Sequence, residues 1–359
     1  LIAALCLSEG ADTKLFSAYG EELAALRSSS GVTLRGAGPI GTYHVDRDDG
    51  PSIQTTAELD GAVADAEVIF LTGPVHKQRT YSMVLADHLS DGQVLVIAPG
   101  RSLGALETAW LLRIGGCTAD VTIVEAQGLP FWYNEAGSVL TLTSAAPMAA
   151  ATLPSGRSET LNAIKKYLPN LVVFDSVLAS GFSDGSALVE VPTLMMGGPA
   201  LHGGAIPIPM GGKLLEENQT FASLIGSSQK TIIAKLTDER HKVAKAFGVR
   251  HLPSASEMIS TYGGSLRGDH SRPIPSQKMS KSLLRCGVIG SLVPLKSAGQ
   301  IANLKVPVTS AIITLASSIL GADVSAAGRR LEAIGIDSGD IDTARRAMDA
   351  IATGEKYGR

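Results

Sequence analysis

The chain has 359 residues, a formal net charge of −3 and a 45% hydrophobic composition. That length suits about two domains of the usual ~100–200 residues, and the near-neutral charge gives no electrostatic case for nucleic acid or an anionic membrane as partner. With 18% charged and 4% aromatic residues beside 39 glycines, the composition excludes a coiled coil or a disordered chain and suits an α/β enzyme with tight turns.

In chain order, residues 1–10, "LIAALCLSEG", predict an amphipathic helix stopped by Gly10. "TKLFSA" reads as a short strand, "GEELAALRSS" and "AELDGAVADA" as helices, and "EVIFLT" as an apolar strand of a parallel sheet. "TYSMVLADHL" is helical, "QVLVIAPG" a buried strand ending in a turn, "LGALETAWLLRIGG" a helix and "DVTIVEA" a strand. This alternation implies βαβ units and a doubly wound parallel sheet. "AGSVLTLTSA" and "APMAAATLP" are expected as the last strands of that sheet, followed by the helix "SETLNAIKKYLP" and the strand "NLVVFDS". Beyond them the pattern is helical, apart from the Gly/Pro-rich loop "GGPALHGGAIPIPMGGK". Two domains follow: a sheet domain over 1–176 and an all-α domain over 177–359. A ligand is expected in the cleft between them.

The glycine motif "GAGPIG" at 36–41 matches a phosphate-loop pattern by letter, but it neither follows an apolar strand nor opens a helix. A hairpin-like turn is the expected reading. Cys6, Cys117 and Cys286 fit no metal-ligand spacing and read as reduced thiols in a cytoplasmic protein; no metal site is expected. No apolar run approaches the ~18–20 residues of a membrane span.

Two stretches, "LTDERHKVAKAFGVRHLPSASEMISTYGG" and "SLVPLKSAGQIANLKVPVTSAIITLASSILGADVSAAGRRLEAIGI", resemble the opine (octopine/nopaline) dehydrogenase family. In the first half, Pro74 after a strand, then Pro99, Gly100 and Gly104 before the "GALE" helix, occur in that family's order. The resemblance implies that the sheet domain is a Rossmann domain binding a dinucleotide. It implies that the helical domain, like that of 6-phosphogluconate dehydrogenases, serves substrate binding and dimerisation. It also implies NAD or NADP as cofactor and the reductive condensation of an α-keto acid with an amino acid, acting on a CH–NH bond. A small carboxylate is the implied substrate, and a homodimer is a possible assembly. A first strand and glycine loop are implied just upstream of Leu1. Dehydrogenation of a small hydroxy acid, or a non-catalytic metabolite-binding homologue, are the alternatives.

The family carries a pattern near N-x-N-x-x-x-H-P, whose His is the acid/base. Here the register reads Asp184, Ser186 and Glu190, and Gly287 stands where the family's orienting Asp would precede "LVP". A His needs a carboxylate to fix its tautomer and a carboxylate base does not, so both partners change together. Glu190 is therefore the expected acid/base, its pKa raised by burial, with a structural pair or a solvated carboxylate as the alternative. His202, in the irregular loop, is a second catalytic candidate. Ser17, Pro74, Pro99 and Gly100 are the expected cofactor contacts. Ser17 stands where an NAD enzyme would carry an acid, and its small hydroxyl is compatible with NADP; no Arg is near to hold a 2′-phosphate and Glu21 and Glu22 would repel one, so the choice of cofactor stays open. Arg101, Asp184 and Arg240 are the expected substrate contacts; His76 and Lys77 share the rim, and His241 reads as a surface or packing residue.

Overall fold

The computed structural model describes residues 1–197, 219–336 and 340–352. Helix α1 (Ile2–Ser8) buries Ile2, Leu5 and Cys6 on one face. It is followed by β1 (Thr13–Phe16), α2 (Gly20–Ser28), β2 (Gly31–Gly36), β3 (Gly41–His44), β4 (Ile53–Thr56) and α3 (Leu59–Val63). Then come β5 (Val68–Leu71), α4 (Val75–Val84), β6 (Val94–Ile97), α5 (Gly104–Ile114) and β7 (Thr122–Ala126). The first half closes with β8 (Phe131–Ala136), β9 (Val139–Ser144), β10 (Met148–Leu153), α6 (Ser158–Ile164) and β11 (Leu171–Val173).

The main sheet has the order β11-β10-β7-β6-β5. Strands β5, β6 and β7 run parallel, β10 is antiparallel to β7, and β11 is parallel to β10. Their apolar runs explain this: β6 and β7 are buried on both faces, as strands covered by helices must be. Strands β1 and β4 form a parallel pair, the same βαβ logic on a smaller scale. The remaining strands form a separate sheet, β3-β2-β9-β8. Strand β9 was expected in the main sheet but pairs with β2 of the hairpin instead. "GAGPIG" is the β2–β3 connection, an antiparallel hairpin. Gly36, at φ +86°, passes so close to the Leu142 carbonyl that a side chain would collide with it.

The second half contains α7 (Val177–Ser183), α8 (Ser186–Gly197), α9 (Ser227–Ala246), α10 (Ala255–Gly263) and α11 (Gln277–Gly287). A π-helical segment Val288–Leu292 leads into α12 (Val293–Ile301), α13 (Pro307–Leu320) and α14 (Ile341–Ala352). Among its described residues this half has only isolated β-bridges. The first turn of α13 is tied down by Glu239 of α9, which accepts from the Val308 and Thr309 amides at 2.8 and 2.9 Å. A carboxylate at a helix N-terminus satisfies donors that the helix leaves unpaired.

One apolar cluster belongs to the first half, around Leu34, Val96, Val124 and Leu168, and another to the second, around Leu194, Ile233 and Leu292. A third joins the halves: Leu95, Ile97 and Leu106 pack with Val177, Phe182, Val243, Leu295 and Met348. Helix α7 lies on β7 and β10, and α14 returns to pack on α5 and α7. The space between the halves is therefore a packed interface with polar groups set into it.

Candidate active site

Strands β5 and β6 are parallel and end on the same rim, where the loops after Leu71 and Ile97 carry Pro74, Pro99, Gly100 and Arg101. Pro74 is the extended residue that starts α4. The Gly100 amide donates to the Ala126 carbonyl at 2.7 Å, and a Cβ at Gly100 would lie 2.6 Å from Glu125 Cγ. Arg101 and Leu103 then adopt left-handed φ of 57° and 63°, which costs a non-glycine residue on the order of 1 kcal/mol or more and needs outside support. Arg329 supplies it. Fully buried, it donates through Nη1 to the carbonyls of Ser102 (2.5 Å), Gly290 (3.1 Å) and Gly100 (3.4 Å), and through Nε to Glu107 at 2.8 Å. Two guanidiniums, Arg329 and Arg79, outweigh the burial of Glu107 and hold its carboxyl below the ordinary range.

The strained turn aims Arg101 into the interface. Its Nη1 donates to Ser186 Oγ and to Glu190 Oε2, the latter at 3.1 Å. Arg272 Nη2 donates to the other oxygen, Oε1, at 2.7 Å. Arg272 also donates to the Tyr262 carbonyl at 2.5 Å and lies over the rings of Phe221 (4.2 Å) and Trp132 (5.6 Å). Glu190 is thus a carboxylate clamped between two cations, one from each half. Burial opposes its charge, but Arg101 and Arg272 prevail and hold its pKa below the usual carboxylate range. This corrects the expectation of a raised pKa: the second guanidinium comes from a segment 82 residues away in sequence. Burial works against the charge of Arg101 too, yet Glu190 and Asp184 raise its pKa further.

Asp184, at the end of α7, is 1% exposed. It accepts from Ser291 Oγ (2.6 Å), Ser186 Oγ (2.5 Å), the Ser186 amide (3.0 Å) and Ser102 Oγ (3.3 Å), so one carboxylate ties the rim loop, α8 and the π-helical segment together. Arg240 donates to the carbonyls of Ser183 at 3.2 Å and Pro253 at 2.8 Å. Among the described residues it has no ion pair, and burial lowers its pKa to about 10, which keeps it cationic at neutral pH. The Nε atoms of Arg101 and Arg240 are buried without a hydrogen-bond partner. Asp184, Arg240, Ser102 and Ser291 share a cavity of about 10 Å³, room for a single water.

Other expected residues fall elsewhere. Ser17 follows β1 at the rim and donates to Glu22 Oε2 at 2.7 Å. Lys77, in the first turn of α4, reaches the same carboxylate at 3.2 Å. His76 is exposed beside it, its pKa lowered by partial burial and by Arg285. His241 faces the Pro253 carbonyl at 3.0 Å, a packing position. His202 lies outside the described residues. Sequence reasoning missed Arg272, Ser291, Arg329 and Glu125. Glu125 is fully buried in β7, and burial raises its pKa to about 7 even though the Ala105 amide and Ser180 Oγ donate to it. The signal was a lone acid within the apolar run "VTIVEA".

No family model matches the chain. It is 26% identical over 348 residues to an opine dehydrogenase of Arthrobacter sp. (strain 1C), covering 93% of this chain and 91% of that one. The similarity to that opine dehydrogenase runs through both halves of the chain. It is also 21% identical over 304 residues to the Agrobacterium tumefaciens (strain Ach5) protein ocs, covering 83% of each. An octopine dehydrogenase solved with NADH and agmatine superposes with a TM-score of 0.66 at 16% identity, over 100% of this chain and 96% of that one. A D-mandelate dehydrogenase with NADH and anilino(oxo)acetate gives 0.64 at 11% identity, over 89% and 94%. These structural likenesses show the shared fold: a Rossmann-type sheet joined to a helical half.

The packing at Gly287 bears on the carboxylate that the resemblance led one to expect there. A Cβ at Gly287 would lie 2.9 Å from Val191 Cγ2 and 3.3 Å from Ala187 Cβ. Helix α11 runs against α8 through that glycine, and an Asp there would be driven into the face of α8 that carries Glu190.

Proposed function

We propose that the protein is an NAD(P)-dependent oxidoreductase of the opine dehydrogenase type, joining a small α-keto acid to an amine reductively. The observation that carries this reading is the similarity to an enzyme named for that chemistry, running through both halves over 93% of the chain. The bound dinucleotide supplies the hydride. Ser17, Pro74, Pro99 and Gly100 stand at the carboxyl ends of the parallel strands, where such folds take a nucleotide. A hydroxyl and a carboxylate at the tip of β1, Ser17 with Glu22, form a donor and acceptor set that fits a ribose diol.

Arg101 and Arg240, each a buried cation with an unused Nε donor, are assigned to substrate carboxylates, and the water-sized cavity beside Arg240 has to widen for a substrate to reach it. Asp184 orients the loop and helix that present them. Glu190 positions rather than transfers a proton. Its two guanidinium partners make protonation unfavourable at neutral pH, and they are held in place by it. The assembly is proposed to be a homodimer in the cytoplasm, consistent with three unpaired cysteines; sedimentation of the purified protein tests the dimer.

Oxidation of NADH and NADPH with pairs of keto acids and amino acids tests the activity. Silence with every pair, alongside measurable nucleotide binding, overturns it. A second reading, reduction of a keto acid without an amine, is favoured by the absence of the family's His at position 190 and by the likeness to D-mandelate dehydrogenase. Turnover with keto acid alone selects that reading.

A further inference from the structure

Three elements converge where β1 ends. The Ser17 amide continues the β1–β4 ladder by donating to the Thr56 carbonyl at 3.2 Å, so the chain leaves the strand in a fixed direction. Ser17 Oγ accepts from the Tyr19 amide at 3.1 Å and donates to Glu22 at 2.7 Å. The first turn of α2 supplies Glu22, and the first turn of α4 supplies Lys77, which pairs with Glu22 at 3.2 Å and stands 4.6 Å above the Tyr19 ring. Tyr19 itself is 56% exposed, with Lys77 over one face of its ring. Hydrogen bonds from Ser17 and Lys77 keep Glu22 below the ordinary carboxylate range, so it is an anion at neutral pH; Lys278 is the other cation acting on it.

This is an organised carboxylate at the carboxyl end of a parallel strand, beside an exposed aromatic ring. A carboxylate accepts from two neighbouring hydroxyls at once, and an aromatic ring can stack on a purine. A phosphate monoester in the same place would meet a negative charge already held in position. Lys77, paired with Glu22, offsets part of this charge, so its removal should sharpen the discrimination rather than abolish it. Resting on the dehydrogenase reading above, we propose that Glu22, held by Ser17 and Lys77, receives the adenosine ribose of the cofactor and selects NADH over NADPH. It does so from the helix after the strand, whereas the strand-end position itself carries only a serine.

The test uses fragments that lack the nicotinamide, so that binding is read without chemistry. ADP-ribose and 2′-phospho-ADP-ribose are titrated calorimetrically into the full chain and into E22Q, E21Q and K77M. ADP-ribose is expected to bind roughly tenfold or more tightly than its 2′-phosphate in the wild type, the scale of one like-charge contact at a half-exposed site. E22Q should bring the two within about threefold of each other, by weakening ADP-ribose and strengthening the phosphate. E21Q, an exposed neighbour outside the cluster, should keep the wild-type ratio. K77M should keep or widen it. Equal or tighter binding of the 2′-phosphate by the wild type overturns the assignment, as does an unchanged ratio in a folded E22Q; a ratio reversed by K77M shows Lys77 to be the selector instead and overturns it too. Those results leave the dehydrogenase reading standing. Binding of neither fragment overturns both.

Discussion

Replacing Glu190 with Gln separates a fixed charge from a proton carrier. Glu190 is 5% exposed and contacts Arg272 at 2.7 Å and Arg101 at 3.1 Å. At an effective dielectric near 20, each such pair attracts by about 4 kcal/mol, so the two together offset the desolvation of several kcal/mol per buried ion. Glutamine keeps the shape and one acceptor but leaves two buried guanidiniums without a counter-charge. The expected loss is about 3–5 kcal/mol of unfolding free energy. Its pH dependence has a definite sign. The folded pKa is depressed, so the stabilisation is complete above the unfolded value of about 4.3 and fades only as pH falls through the lower folded value. The gap between wild type and E190Q should therefore stay constant from about pH 5 to 8 and close below about pH 4. Guanidinium unfolding followed through Trp132 fluorescence reads it, because that ring lies beside Arg272. If E190Q instead keeps wild-type stability at pH 7 while turnover falls about 10²-fold and a near-neutral limb of the pH–rate profile disappears, Glu190 moves a proton and the reasoning is wrong.

Three further outcomes follow from the same interface. Glu125 has a folded pKa raised to about 7, so between about pH 4.5 and 7 the native protein keeps a proton that the unfolded chain has released; wild-type stability should fall by about 3 kcal/mol as pH rises across that window, and E125Q should lose this slope in the same unfolding series. R329M removes the cation that clamps three carbonyls and leaves Glu107 with Arg79 alone, and chemical denaturation should show a loss of about 3–5 kcal/mol. G287A places a methyl 2.9 Å from Val191 and should cost about 1–3 kcal/mol by overpacking, seen as a lowered Tm; an unchanged Tm would mean that α8 and α11 can separate freely.

Much of the fold could be read locally. Apolar runs of strand length separated by amphipathic helices marked β5, β6 and β7 with their connecting helices. The glycines of "GAGPIG" marked a turn rather than a phosphate loop, because no apolar strand led into them and no helix followed. The separation of β9 from the main sheet was not legible: its partner β2 lies about a hundred residues earlier, and period-2 alternation says which face is buried but not which strand lies alongside.

The site divides in the same way. The sequence by itself determined that acids sit at 184 and 190 in an apolar segment, that Gly287 replaces an expected carboxylate, and that Ser17 ends the first strand. Motif order elsewhere in the chain carried the resemblance, and against it these positions stood out as departures, because both can be read from the letters alone. Only the tertiary structure decided what each charge does. Whether a buried carboxyl is driven up or down depends on which charges lie within a few ångströms. For Glu190 those are Arg101 and Arg272, 89 and 82 residues away in the chain, so a residue expected to share its proton is a fixed anion. For Glu125 the Ala105 amide, Ser180 and Arg329 favour the charge but do not outweigh the burial, and its carboxyl is pushed up to about 7.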